Sequence, residues 1–581
     1  MAMRTILQLF LHINVFILTL LSGSFIYKKY HKMKAYYLFL ALFLFISCTD
    51  KTVKNEKIPV ATAEITGTIL NEKFGGVGFH VFDHVHNGPR WHYEQVFAKR
   101  WRELNPSFVR LNDDPMWDFK KLDVISQYLE VMKGTNTEMY LTSWNTASIK
   151  KFRTEKDYVK HEVDNLEYLK KTKGFSNINY YCMTNELSLD SWASMVNDLG
   201  YFKKIQSLFY DEFKARNLNI GLLATDASPI EYWHTIKWAS ENMDDITAVY
   251  GGHHYINNYD LFDNSFYGYF LKKMKWGAGI ARSKNKKFII GEFGAKQNSN
   301  IIDSVNHDAC IYNNTPLENY LGIQVGEAVI AMINGGVYAC GYWTFGDFPS
   351  SYNAHYINKW GLFRWEVDNF TTKPSYYCLG LLTKFFRGPA EVFEAVSADT
   401  LIRIAAIKNT ENGSVSIAVI NRNDVAKQLH LKTKADEGQK AFRKYLYDPA
   451  NVPFNYFGDL QNYSKKISIK DGQLSDTIPP QSLVVYTTSY DEDPPSDIKS
   501  LNVEIRKTDG RDKAFLKWEP NTEKDFCYYR IYRSEKPEVE IIPRKQIAST
   551  ISNEFIDMSI NDMPKYYYHI VAVDQSGNTS K

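Results

Sequence analysis

Cysteine is scarce, six in 581 residues. None stands in a Cys-x-x-Cys pair, and an odd five follow Cys48: Cys182, Cys310, Cys340, Cys378 and Cys527. That excludes a disulfide framework and a zinc finger, and leaves most of them as small buried hydrophobes. Glycine and proline number only 32 and 19, too few for a collagen-like or low-complexity chain. An excess of one charge is missing too. Lys plus Arg total 69 against 66 Asp plus Glu, and residues 1–47 supply the surplus through Arg4, Lys28, Lys29, Lys32 and Lys34 without one acid. The remainder is slightly acidic with no basic patch, so nothing electrostatic points to nucleic acid. With 44% hydrophobic and 23% charged residues, the chain is neither disordered nor a polytopic membrane protein. Its excess is aromatic: 39 Tyr, 35 Phe and 12 Trp, 15% of the chain.

Two apolar runs open the sequence, Ile6 to Ile26 and Tyr36 to Ser47. The second follows Met33-Lys34 and ends Ile46-Ser47-Cys48. A positive start, a short apolar core and a small residue before the cut form a secretory signal. The ending resembles a bacterial lipobox, which implies a lipid on Cys48, a membrane anchor and a place in the bacterial cell envelope, at the outer surface or the periplasmic face. Met33 is then the expected start, with residues 1–32 an extension. The alternative is a transmembrane anchor built from the first run, since about 20 apolar residues can span a bilayer. Residues 48–73 read as a tether, with Ile58–Ile69 adding a strand to a later domain.

From residue 74 to 386, short apolar runs alternate with amphipathic ones. The short runs are Gly75–His80, Phe108–Asn112, Glu138–Ser143, Asn179–Asn185, Ile220–Thr225, Ala248–His254, Phe288–Gly291 and Val337–Thr344. Helical patterns between them include Leu122–Lys133, Asp157–Lys173, Asp198–Arg216 and Leu317–Asn334. Eight such βα units predict a (β/α)8 TIM barrel. An open doubly wound sheet would carry a Gly-rich phosphate loop after its first strand. Here Gly75-Gly76-Val77-Gly78 lies inside that strand, so no nucleotide site and no cofactor is expected.

In a barrel the functional groups sit at the carboxyl ends of the strands. Those ends carry His80, Arg110 with Asn112, Trp144 with Asn145, Asn185 with Glu186, Asp226, His253 with Tyr255, Glu292 and Trp343. Stability alone would not place so many polar and aromatic groups there. Glu186 and Glu292 end strands four and seven, across the mouth from each other. A carboxylate buried at such a place is costly without a partner or a task. Paired acids are what glycoside hydrolysis needs: one protonates the leaving oxygen while the other attacks the sugar carbon or activates water. Taken singly, either glutamate reads as well as a salt-bridged structural residue, and Arg110 as a structural partner of Glu186 or Asp226.

Asn185-Glu186 after strand four and Glu292 after strand seven resemble the retaining glycoside hydrolases of clan A, which include families 5, 30 and 39. The resemblance implies Glu186 as acid/base and Glu292 as nucleophile, 5–5.5 Å apart rather than the 6.5–9.5 Å of inverting enzymes. It implies that Asn185 binds the sugar 2-hydroxyl. His253 and Tyr255 match the clan's His-x-Tyr of strand six, with Tyr255 bonded to the nucleophile. Arg110 matches the arginine of strand two that supports the nucleophile, and Trp343 the strand-eight sugar platform. Trp144 and Asn145 are subsite candidates. Leu187 stands where the acid/base is commonly followed by proline, a departure that bears on the family within the clan.

His80, His84 and His86 with Asp83 crowd one loop, with His92 nearby. These are metal-ligand types, but no distant ligand signature matches them, and no metal is expected. Residues 387–490 read as an antiparallel β-sandwich, with strands at Leu401–Ile407, Val415–Asn421 and Ser482–Tyr486. An acidic, Pro-rich linker, 491–497, leads to residues 498–581. There Leu516-Lys517-Trp518, Tyr529–Arg533 and Tyr568–Asp574 resemble a fibronectin type III module, a spacer or docking unit by default. The expectation is a retaining glycosidase acting on a β-linked polysaccharide or oligosaccharide. The alternatives are a non-catalytic glycan-binding surface lipoprotein and a transglycosylase built from the same residues.

Overall fold

The structure, a computed structural model, describes residues 57–81, 88–187, 197–256, 261–295, 317–349, 357–433, 441–560 and 565–581. Cys48 and the signal region, His84, His86 and Cys310 lie outside them. Met1–Ile58 separates as a unit of its own, and the architecture below concerns Pro59–Lys581. No helix among the described residues is long and apolar enough to cross a membrane.

Eight parallel strands close into a barrel: β1 (Val60–Val81), β2 (Phe108–Asp113), β3 (Glu138–Ser143), β4 (Ile178–Cys182), β5 (Gly221–Ala227), β6 (Val249–His253), β7 (Lys287–Phe293) and β8 (Ala339–Tyr342). Each pairs with the next in order, and β1 closes the ring on β8, with Gly76 opposite Ala339. The strands are buried on both faces, as parallel strands under a helical coat must be. Phe108, Tyr140, Tyr180, Leu223, Val249 and Ile289 fill the interior. The coat forms where the sequence pattern placed it, and side-chain caps set several starts. Asp118 accepts from the Lys121 amide, Thr154 from that of Asp157 and Asp198 from that of Tyr201. Helix Leu199–Ala215 buries Phe202, Ile205, Phe209 and Phe213 on one stripe, each worth roughly 1.5–3 kcal/mol.

Two departures from the sequence pattern bear on the domain junction and the site. β1 is one 22-residue strand where two were expected. Its first half pairs with Arg387–Ser397 and Lys427–Thr433 of the sandwich, its second half with β2 and β8. Four register shifts in the ladder to Arg387–Ser397, and Gly76 at φ +117, accompany the bend from one domain into the other, as bulges do. β4 stops at Cys182, three residues short of Asn185. The carbonyls of Met183 and Thr184 accept from the Thr146 and Thr142 hydroxyls instead of a neighbouring strand.

The sandwich follows as antiparallel strands, among them Ile402–Asn409, Val415–Asn421 and Ser482–Thr487. Glu327, buried in helix Glu318–Asn334, bonds Arg403 at 2.8 Å and faces Arg422 at 3.4 Å, tying sandwich to barrel. The last module has two three-stranded sheets around Leu516, Trp518, Tyr529 and Ile531. It is not a free spacer. Asp459 takes Lys99 of a barrel helix at 2.6 Å and Arg530 of the module at 2.9 Å. At its amino end the barrel is plugged by charge: Tyr338 donates to Glu138 at 2.7 Å, and Lys287 donates to the Tyr180 hydroxyl at 2.8 Å while facing Glu138 at 3.6 Å.

Candidate active site

The carboxyl ends of the strands converge on one guanidinium. Arg110, fully buried on β2, donates from Nη1 to Glu292 Oε1 at 2.5 Å and from Nη2 to Asn185 Oδ1 at 2.5 Å and Asp226 Oδ2 at 2.8 Å. Nη1 also lies 3.1 Å from His80 Nδ1. Four strands are thereby held through a planar fork that lysine cannot imitate. Burial opposes the charge of Arg110, and Asp226 and Glu292 overcome that, so the guanidinium is held above its ordinary range. Burial, with Arg110 and His253 nearby, pushes His80 well down. Its neutral ring can then accept a hydrogen bond from the Arg110 Nη1–H.

His253 is the second hub. Its Nε2 faces Asp226 Oδ1 at 3.0 Å, and its Nδ1 faces Glu186 Oε1 at 3.0 Å and Glu292 Oε2 at 3.6 Å. Burial would discharge the ring, but Asp226 and Glu292 outweigh it and Arg110, and push the imidazole up to about 10. Asp226 itself is held far below the carboxylate range; burial works against ionisation, and His253 and Arg110 prevail. Gly291 makes room for this contact, since a Cβ there would come within 3.0 Å of both Asp226 Oδ1 and His253 Nε2. Asp226 and Glu186 both sit at positive φ, +56 and +50. Such a conformation costs a non-glycine residue about 1–2 kcal/mol, and it is tolerated where the surroundings over-determine it.

The two glutamates occupy unlike settings. Glu292 is nearly sealed, its side chain 4% exposed, and it accepts from Arg110 and, through a very short hydrogen bond, from the Tyr255 hydroxyl. Burial and the carboxylates of Glu292 and Glu186 keep Tyr255 protonated, far above its ordinary range. Glu186 is more open at 17%. An oxygen of each carboxyl and a nitrogen of His253 lie within 4.8 Å of one another. That trio has the ligand types of a metal site, and a cation there would have to displace the proton His253 shares with the carboxylates. The rings stand beside the pair: Trp144 and Trp343 stack at 5.3 Å and 12°, and His80 lies 4.6 Å from Trp343. Trp343 is only 4% exposed, with Trp144 the more open ring. Asn145, half-buried, donates to Asp114 at 3.2 Å on the same rim.

Nine of the ten residues singled out in the sequence can be placed, and all nine lie at this end of the barrel; Cys48 is the tenth. His80 is visible at a strand end but carries no assigned role, and Asp226 stands only as a structural partner of Arg110, a contact present in the structure. Its second contact, with His253, has no signal in sequence spacing.

No family model matches the chain. Over 177 residues, 30% of its length, the chain is 30% identical to an amylopullulanase of Thermoanaerobacterium saccharolyticum, and it spans 12% of that curated relative. Among solved structures it is similar to a glycoside hydrolase family 30 subfamily 8 xylanase of Clostridium acetobutylicum, with TM-score 0.51 and 13% identity over 73% of this chain and 99% of the other. It is similar too to a bacterial orthologue of human α-L-iduronidase, with TM-score 0.55 and 13% identity over 90% of this chain and 98% of the other. The likenesses to solved structures establish the fold alone.

Proposed function

We propose that the protein is a glycosidase that cleaves a β-linked polysaccharide or oligosaccharide with retention, through double displacement. One observation carries this reading. Two carboxyls from β4 and β7 approach within 4.8 Å beside stacked tryptophans, one sealed and one open. That closeness lets both carboxyls reach one glycosidic bond, as double displacement requires. Similarity to a xylanase and to an iduronidase orthologue supports a saccharide substrate.

Glu292 is the nucleophile. Arg110 and Tyr255 each bond one of its oxygens, which aims the carboxylate at the anomeric carbon. Glu186, nearer to solvent, protonates the departing oxygen and then takes the proton of the incoming water. With Asn185 Oδ1 engaged by Arg110, its amide NH2 is the group turned to a sugar hydroxyl. The lipid anchor at Cys48 and the envelope location belong to the same proposal and rest on the sequence pattern alone.

The test is Glu292→Ala assayed on aryl β-glycosides. Turnover falls by at least about 10⁴-fold, and azide restores it as a glycosyl azide of the opposite anomeric configuration to the substrate. Full activity in the variant would end the proposal.

A further inference from the structure

Over the whole chain the charges nearly balance, yet residues 266–287 hold seven Lys and Arg and not one acid. Most of that run is helix Phe266–Ser283, which buries Phe266, Phe270, Met274, Gly277 and Ala281 against the barrel. At 3.6 residues per turn, Gly268, Lys272 and Gly279 share the middle of its exposed face. Tyr269 and Trp276 line one flank of that face, and Lys275 and Arg282 line the other.

Three features of this face have no use within the molecule. Gly277 is explained by Phe288, whose Cζ would lie 2.3 Å from an added Cβ, but nothing lies within 4 Å of one at Gly268 or Gly279. Glycine weakens a helix relative to alanine, so two on the open face cost stability and gain no contact. Lys272, Lys275 and Arg282 are exposed and meet no acid among the described residues. The flanking helix His234–Asn242 answers its own acid, Glu241, with Lys237 at 3.9 Å. Tyr269 and Trp276 stay 40% and 43% exposed. Trp276 does not project: it is laid on the buried Trp233 at 6.3 Å and 22°, and offers its outer face.

We propose that this helix face binds an acidic polysaccharide, at a site on the flank of the barrel apart from the mouth. Tyr269 and Trp276 are seven residues apart, about 10 Å along the axis at 1.5 Å per residue, so their faces can carry sugar rings of one extended chain. Stacking sets the negative face of an aromatic ring against polarised C–H groups. The cations of Lys272, Lys275 and Arg282 run beside that line and match carboxylates on the chain. The glycines leave the middle of the face bare, so the chain can lie close to the backbone. An anionic bilayer would match the charge too, but interfacial rings insert into the lipid, and Trp276 lies flat. The site holds a chain without cutting it, so it stands whether or not the mouth is a glycosidase.

The experiment is calorimetric titration of the full chain in a Glu292→Gln background with a hexamer of β-linked mannuronate and with mannohexaose, the same backbone without the acid groups. The acidic hexamer binds at least about tenfold more tightly. Charge reversal in the double variant Lys272→Glu, Lys275→Glu weakens it by at least about tenfold, and Trp276→Ala weakens it too. Gly279→Gln lowers the affinity while the melting temperature holds or rises, an outcome that loss of fold cannot produce. With Glu292 intact, the charge-reversal variant keeps its kcat/KM on an aryl glycoside. Unchanged affinity in that variant, mannohexaose binding as tightly as the acidic hexamer, or no hexamer binding, with or without sedimentation on phosphatidylglycerol vesicles, would each overturn the proposal.

Discussion

Both ends of the barrel set charge among aromatic rings, buried at the mouth and half-buried at the foot, and the two clusters differ in what their charges face. At the foot, Glu138 is met by Lys287 and by the Tyr338 hydroxyl, and Lys287 also covers the Tyr338 ring at 3.8 Å. Each charge has its opposite close by, and the cluster works as a plug. At the mouth, Arg110 and His253 are surrounded by three carboxyls, one of which is part open. A charged strand end is therefore not in itself a functional sign. What separates mouth from foot is shared pairing: Arg110 and His253 each face more than one carboxyl at the mouth, whereas Glu138 and Lys287 form a single, more open pair at the foot.

That contrast can be broken by substitution. Glu186→Gln removes the acid/base and lowers kcat/KM by about 10²–10⁴-fold for glycosides with poor leaving groups, with little change on activated aryl glycosides. A uniform loss across leaving groups would put the acid elsewhere. Asp226→Asn strands Arg110 and His253 in a buried site, and chemical denaturation should show a loss of about 3–5 kcal/mol together with a fall in kcat. Glu138→Gln at the foot costs less, about 1–3 kcal/mol, and leaves kcat within twofold. Were the foot variant to lose turnover as the mouth variant does, the distinction between plug and site would collapse.

A smaller effect separates two neighbouring histidines. The folded pKa of His253 is raised to about 10, so its contribution to stability is complete below about pH 6.5, the ordinary imidazole value, and fades as pH climbs through 10. His254, stacked on Phe270 at 4.9 Å, is pushed down to about 4 by burial and by Lys273. Its contribution is complete above about pH 6.5 and is lost as pH falls toward 4. Melting curves should show the gap between the unmodified chain and His253→Gln shrinking on the alkaline side. The gap to His254→Gln should shrink on the acid side. The reverse pattern would exchange the two environments.

Much of this architecture is legible in the sequence because it is local. Glu138–Ser143 and Val415–Asn421 fall on the observed strands residue for residue, since each is a short apolar run bounded by turn residues. Strand-end position then brings Arg110, Asn185, Glu186, His253 and Glu292 to one end without any knowledge of distance. The errors are equally instructive. β1 looks like two strands because its register shifts and Gly76 break the period, whereas the backbone runs on through both domains. The last module reads as a spacer or a docking unit, and its polar linker does not decide between them, because the Lys99–Asp459–Arg530 contact that fixes it joins three distant segments.

The sequence by itself determined the order of elements, the closure into a barrel and the end at which the acids gather. Periodicity, capping and strand direction are properties of neighbouring residues, and they need no third dimension. Only the tertiary structure decided which charge answers which. It made Asp226 the link between Arg110 and His253 and sealed Glu292 while leaving Glu186 more open. Those outcomes depend on desolvation and on contacts a few ångströms long between residues that lie, like Arg110 and Glu292, far apart along the chain.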